Sequence, residues 1–160
     1  MKQAQIVEEY SNSWRWDKHE ECLVSKYIVG NSIHVCCGQS KVGDVRFDID
    51  EKVKPTILGD ILDNSIPSKS YDTVISDPAW NLGFIPKYWK ELKRIAKKRI
   101  VVIALSQMME GKDWHIIYEE IIKRQNGFQI KVLTVYERKS QELPLLNSES
   151  AKESKTYLTG

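Results

Sequence analysis

"YDTVISDPAWNLGFIPKYWKELKRIAKKRIVVIAL", residues 71–105, changes its hydrophobic period twice. YDTVISD (71–77) is an apolar run closed by an acidic residue. After Gly83, Ile85, Trp89, Leu92 and Ile95 recur at helical spacing with lysines between them, and Pro86 suits a first helical turn. RIVVIAL (99–105) is continuous again and is the most apolar run of the chain. A strand, a helix and a second strand in succession predict a parallel pair joined by a helical crossover. Runs without polar alternation suit strands covered on both faces.

Upstream, SIHVCC (32–37) reads as a buried strand between Gly30-Asn31 and Gly38. VRFDI (45–49) and PTILGD (55–60) read as two more strands, the second one short. Only GQSKVGD (38–44) separates the first pair. That is too little for a helical crossover of about a dozen residues, so an extended loop or a different pairing is expected. Residues 16–29 predict a helix leading into the core.

Downstream, GKDWHIIYEEIIKRQNG (111–127) predicts a helix capped by Asp113 and ended by Asn126-Gly127. FQIKVLTVYER (128–138) alternates like a strand near a sheet edge. The polar last twenty residues read as a tail, or as a loop before a short strand at TYL (156–158). The class is α/β with a mostly parallel sheet. The 160 residues suit one domain, with an N-terminal helical or lid segment at 1–30, a core at 31–138 and a polar tail at 139–160.

Composition bounds the function. Hydrophobic residues are 41% and charged residues 29%, as in soluble domains. No apolar run approaches the ~20 residues of a membrane span, and the first ten residues lack a signal-peptide core. A soluble, cytoplasmic protein without a membrane partner is expected. A formal net charge of +2 does not announce a nucleic-acid binder. Lys87, Lys90, Lys93, Arg94, Lys97, Lys98 and Arg99 nevertheless crowd one segment, as a solvated helix face or a phosphate-facing patch. Cys22, Cys36 and Cys37 have no C-x-x-C spacing, so neither a disulfide framework nor a metal site is suggested. Cys36 and Cys37 read as small hydrophobes of a strand, with a nucleophile as the alternative. His19, His34 and His115 are scattered.

In an α/β sheet, ligands bind outside the carboxyl ends of the strands, near the point where strand order reverses. The four strand ends are Cys36-Cys37-Gly38, Asp48-Ile49-Asp50, Gly59-Asp60-Ile61 and Asp77-Pro78-Ala79-Trp80. A lone strand-end aspartate is most often a turn or cap residue. One glycine turn followed by acidic groups at three successive strand ends suits a nucleoside-like ligand. Glycine admits close backbone approach, a carboxylate accepts from ribose hydroxyls, and an indole stacks on a flat ring.

VCCG (35–38), FDID (47–50), LGDIL (58–62) and ISDPAW (75–80) together resemble a class I S-adenosylmethionine-dependent methyltransferase, over roughly residues 30–136. The resemblance implies a Rossmann-like three-layer sandwich, mostly parallel with an antiparallel edge strand. It implies S-adenosylmethionine as cofactor, with Cys36, Cys37 and Gly38 among the residues that bind it and Gly38 against its methionine part. Asp48, or Asp50, would take the ribose, Asp60 and Ile61 the adenine, and Asp77 would complete the pocket. Asp77-Pro78-Ala79-Trp80 is similar to the Asp-Pro-Pro-Trp motif of amino-methyltransferases, with Ala79 in place of the second proline. By that likeness Asp77 and the Pro78 carbonyl would accept the hydrogens of a base amine, adenine N6 foremost, and Trp80 would stack on the base. The implied substrate is nucleic acid, and a homodimer is a further expectation. The alternatives are a protein or small-molecule acceptor, and a non-catalytic partner subunit of the same fold. The basic-aromatic cluster of Trp14, Arg15, Trp16 and Lys18 reads as core cover or as a substrate lid.

Overall fold

The computed structural model describes residues 16–79, 81–104, 111–123 and 130–139, the side chains of Phe84 and Lys123 excepted. The readings placed on Trp14, Arg15, Trp80 and TYL (156–158) lie outside these residues. Strands β1 (Ser32–Val35), β2 (Val45–Asp48), β3 (Ile57–Leu58), β4 (Tyr71–Ser76), β5 (Ala96–Ala104), β6 (Trp114–Lys123) and β7 (Ile130–Arg138) form one sheet. Their order is β3-β2-β1-β4-β5-β7-β6. β1 to β5 are mutually parallel, and β7 runs antiparallel to both of its neighbours. Strand order therefore reverses between β1 and β4.

Helix α1 (Lys18–Ser25) covers one face of the sheet and helix α2 (Pro86–Ile95) the other. Alternation along the strands divides the core. Val74, Ile100 and Val102 pack with Tyr88, Leu92 and Ile95 of α2. Ile75, Val101 and Ile103 pack with Leu23 and Val24 of α1. Asp17 and Glu20 close a reciprocal capping box at the start of α1, with bonds of 2.8 and 2.9 Å. Pro86 opens α2, and Lys93 and Arg94 lie in its last turn, where cations suit the helix dipole. Among the described residues no helix is long and apolar enough to cross a membrane.

The β1–β2 connection is the extended loop of the two expected arrangements, and the strands remain parallel neighbours. The Asp44 carboxylate accepts from the Ser32 N–H and hydroxyl, each at 2.8 Å. Val42 turns its carbonyl to His34 Nδ1 at 3.1 Å and its side chain into the core on the α1 side. The loop thus covers the face that a crossover helix would otherwise cover.

Two sequence expectations are corrected. Residues 114–123 form strand β6, not a helix begun by Asp113. A bulge explains the misleading pattern. Ile116 pairs with Tyr136 and Tyr118 with Val135, so Ile117 is the extra residue. Trp114 and Ile116 face the α2 side before the bulge, and Tyr118 and Ile122 face the α1 side after it. A strand that changes face midway mimics a three-to-four residue repeat. Four isoleucines and two aromatics favour the pleated surface. The second correction is at β1, which ends at Val35. Cys36 is not a strand residue but stands in the left-handed region at φ 55°.

Candidate functional site

The β1 chain reverses at Cys36, and Gly38 is left-handed too, at φ 50°. This tight turn points the Gly38 N–H across to β2, where Asp48 Oδ2 accepts it at 2.8 Å. Asp48 Oδ1 accepts from the Asp50 N–H at 3.0 Å, and its carbonyl accepts from Gly59 N–H at 2.9 Å. The Gly38 carbonyl takes the Arg46 guanidinium at 2.8 Å, which also grips the Val53 and Lys54 carbonyls at 3.0 Å each. The Asp48 carboxylate therefore ties the ends of β1 and β2, and the Arg46 guanidinium ties the Gly38 turn to the segment that leads into β3.

Of the two acidic candidates at this strand end, Asp48 is half-buried in the clamp. Asp50 is exposed, and its Oδ1 caps the 3₁₀ turn Glu51–Val53 through Lys52 N–H at 2.9 Å. Asp60 is exposed as well, with Oδ1 on the Leu62 N–H at 2.8 Å. The Ile61 side chain is buried among the core residues on the α2 side.

At the end of β4, Asp77 is held from the α1 side. Trp16 Nε1–H and Lys131 Nζ–H both donate to its Oδ2, at 2.6 and 3.0 Å. Among the described residues Oδ1 accepts no hydrogen bond. Burial raises the Asp77 pKa, and the nearby Glu20 charge adds to that, while Lys131 and Trp16 act against it. Pro78 is buried. The Ala79 carbonyl accepts from Leu82 and Gly83 at 2.8 and 3.4 Å, so the acidic strand end passes through a closed turn into α2.

The structure brings Cys36, Asp48, Asp60 and Asp77 to one locus. The Cys36 thiol is pushed far up by its burial and then by the charges of Asp48, Asp77 and Asp60. Cys37 is buried and pushed up to about 11, chiefly by burial. Both shifts oppose the thiolate that a nucleophilic cysteine requires.

No family model and no curated protein matches the chain. Solved structures do match it. The PH0226 protein from Pyrococcus horikoshii superposes with a TM-score of 0.54 at 17% identity, over 74% of this chain and 87% of that one. A TehB-like S-adenosylmethionine-dependent methyltransferase from Corynebacterium glutamicum gives 0.53 at 14% identity, over 85% and 96%. An S-adenosylmethionine-dependent methyltransferase from Thermotoga maritima gives 0.53 at 10% identity, over 85% and 97%. The chain shares the fold of these proteins, the last two of which are methyltransferases.

Two groups at this locus, Lys131 and Ser76, and the bond of Trp16 to Asp77 are not read from the sequence. Lys131 lies near the start of β7, and the antiparallel pairing of that strand carries it to the carboxyl ends of the parallel strands. Ser76 donates to the Val35 carbonyl at 3.0 Å and pairs with the Tyr88 hydroxyl, which ties β4, β1 and α2 together beneath Asp77. Trp16 is only 4% exposed and packs its ring 4.6 Å from that of His34. It is core cover, and it also pins the candidate carboxylate. A lone lysine within an alternating apolar strand is the one sequence signal for Lys131.

Proposed function

We propose that this chain is an S-adenosylmethionine-dependent methyltransferase acting on an exocyclic amine of a nucleic-acid base, adenine N6 foremost. One observation carries the reading: the Gly38–Asp48 clamp and the Asp77-Pro78 turn meet where strand order reverses, in a fold shared with methyltransferases. The polar groups fit that cofactor. A carboxylate has about four acceptor positions, and Asp48 uses two of them on backbone amides, which leaves acceptors for a ribose diol. Asp60 keeps an exposed carboxylate for an adenine edge. Gly38 has both backbone groups engaged, so its part is the left-handed turn and the missing side chain.

When bound, the cofactor supplies an electrophilic methyl group. This chain's own residues have to orient the acceptor, and placement accounts for most of the rate in such a transfer. A base amine is a weak nucleophile because its lone pair is delocalised. Asp77 Oδ1 and the Pro78 carbonyl accept its two hydrogens and localise that pair on nitrogen. Lys131 and Trp16 hold Oδ2, fix the carboxylate plane and sustain its charge. A base within a duplex would be turned out of the stack to reach them. A protein or small-molecule acceptor is the second reading, favoured by Ala79 where the amino-methyltransferase motif carries proline.

Calorimetric titration with S-adenosylmethionine, with NADH as control, tests the pocket. Micromolar binding of the first alone is expected. Labelled methyl transfer to DNA and RNA then tests the acceptor. Asp77→Ala should retain cofactor binding and lose transfer by a hundredfold or more, and unchanged turnover in that variant would refute its role.

A further inference from the structure

The pole of the sheet opposite the candidate site carries a separate cavity of about 440 Å³. Tyr71 pairs with Ala96 and Trp114 with Arg138, so the starts of β4, β5 and β6 and the end of β7 meet there. Its lining includes Lys69, Lys90, Lys93, Arg94, Lys112 and Arg138. The sole acid among the lining residues is Asp113. In a chain of net charge +2, this is a strong local concentration of positive charge.

Part of that charge is structural. Arg138 lies 4.5 Å over the Trp114 ring and donates to the carbonyls of Lys93, Ala96 and Lys97 at 2.8–3.0 Å. Arg94 is paired with Glu91 at 2.7 Å and bonded to the Ile66 carbonyl. These contacts hold the two guanidiniums as a rigid frame, but they do not account for Lys69, Lys90 and Lys112. All three are exposed, and among the described residues no carboxylate pairs with them. Lys69 also stands in the left-handed region at φ 51°, a strained conformation for a lysine. Its N–H is fixed on the Arg94 carbonyl at 2.7 Å.

We propose that this cleft binds the phosphodiester backbone of a nucleic-acid strand. Chain geometry supports a strand over a single phosphate. The cations come from four separated segments, and α2 extends the track. Lys87, Lys90 and Arg94 follow one another at helical spacing on its outer side. α2 begins just beyond the Asp77-Pro78 turn and ends at the cleft. Its ten residues span about 15 Å at 1.5 Å each. At about 3.4 Å of duplex axis per nucleotide of one strand, that length corresponds to roughly four to five nucleotides. A strand gripped at the amino pole would thus lead a base toward the carboxyl pole, a link that rests on the methyltransferase reading, whereas phosphate binding by the cleft does not.

Fluorescence anisotropy of labelled dA12 and rA12 without cofactor tests the cleft. The double variant Lys69→Glu/Lys112→Glu should weaken binding tenfold or more. Its log–log salt slope should fall by about 1.4, the value for two phosphate contacts on a single strand. Lys90→Glu, a single exposed change within a helix, should act in the same direction. Lys26→Glu places the charge change of Lys90→Glu on an exposed position outside the cleft and should change affinity less than threefold. Equal losses in Lys90→Glu and Lys26→Glu would overturn the proposal. So would affinity independent of strand length between two and twelve nucleotides, with displacement by micromolar pyrophosphate, because that describes a small-phosphate site. Cofactor titration of the cleft variants should match the unaltered chain. A chain that binds no cofactor but still shows the cleft-specific loss would refute the methyltransferase reading and leave the cleft standing.

Discussion

His34 is buried and Asp77 half-buried, and their protonation acts on stability with opposite signs. Burial lowers the His34 pKa from 6.5 to about 4, against the Val42 carbonyl that would raise it. The folded chain then binds fewer protons than the unfolded chain between those values, so stability falls as pH drops from 6.5 toward 4. At 1.36 kcal/mol per pH unit, the cost reaches about 3 kcal/mol at most. Urea unfolding at pH 7 and pH 4 should show that loss, and His34→Leu should flatten it. Asp77 has the reverse sign. Its raised pKa favours the protonated folded state, so stability declines as pH rises from the ordinary aspartate range through the folded value. Lys131→Met removes the counter-charge, raises that value further and extends the decline to higher pH. Breaking this part-buried pair costs about 3 kcal/mol at neutral pH, and the double variant with Asp77→Asn should recover part of it, since the Glu20 carboxylate, 4.0 Å from Lys131 Nζ, keeps its charge. A double variant no more stable than Lys131→Met would show that Lys131 acts through packing instead. The strand-end aspartates were legible as residues, since apolar runs ended on them. Their different roles were not. Only proximity separates the clamped Asp48 from the capping Asp50, and only the sheet brings Lys131 to Asp77.

Elements were legible in proportion to how far local pattern and tertiary demand agree. α2 carries its period, its opening proline and its terminal cations in the sequence, and it forms where expected. β4 carries Val74-Ile75 and β5 the unbroken apolar run 100–104 because both faces of the sheet are covered there. β6 misled because its bulge moves the buried face from one side to the other within ten residues. The β1–β2 loop was recognisable by length as no helix, but its packing depends on Gly43. That glycine has φ +98°, and an added Cβ would lie 3.2 Å from the His34 Cβ. Gly43→Ala should therefore destabilise by about 2 kcal/mol through strain and contact together. Thermal unfolding measures it. A change below about 0.5 kcal/mol would show that the loop shifts freely and does not bear on His34.

For the molecule as a whole, the parallel order of strands gives the two poles different chemistry. Loops at the carboxyl ends gather carboxylates around Cys36, and the amino ends gather lysines and arginines around the cavity beside Trp114. The sequence by itself determined the α/β class, the sites of β1, β2, β4, β5 and both helices, and the acidic strand ends. Each of these is written in local periodicity, turn residues and caps, which act over a few neighbouring positions. The tertiary structure alone decided the strand order, the strand state of residues 114–123, the hold of Trp16 and Lys131 on Asp77, and the gathering of Lys69, Lys90 and Lys112 at one cleft. The reason is physical: these features depend on pairing and burial between residues far apart in the chain, and no local pattern encodes which distant partner a strand will meet.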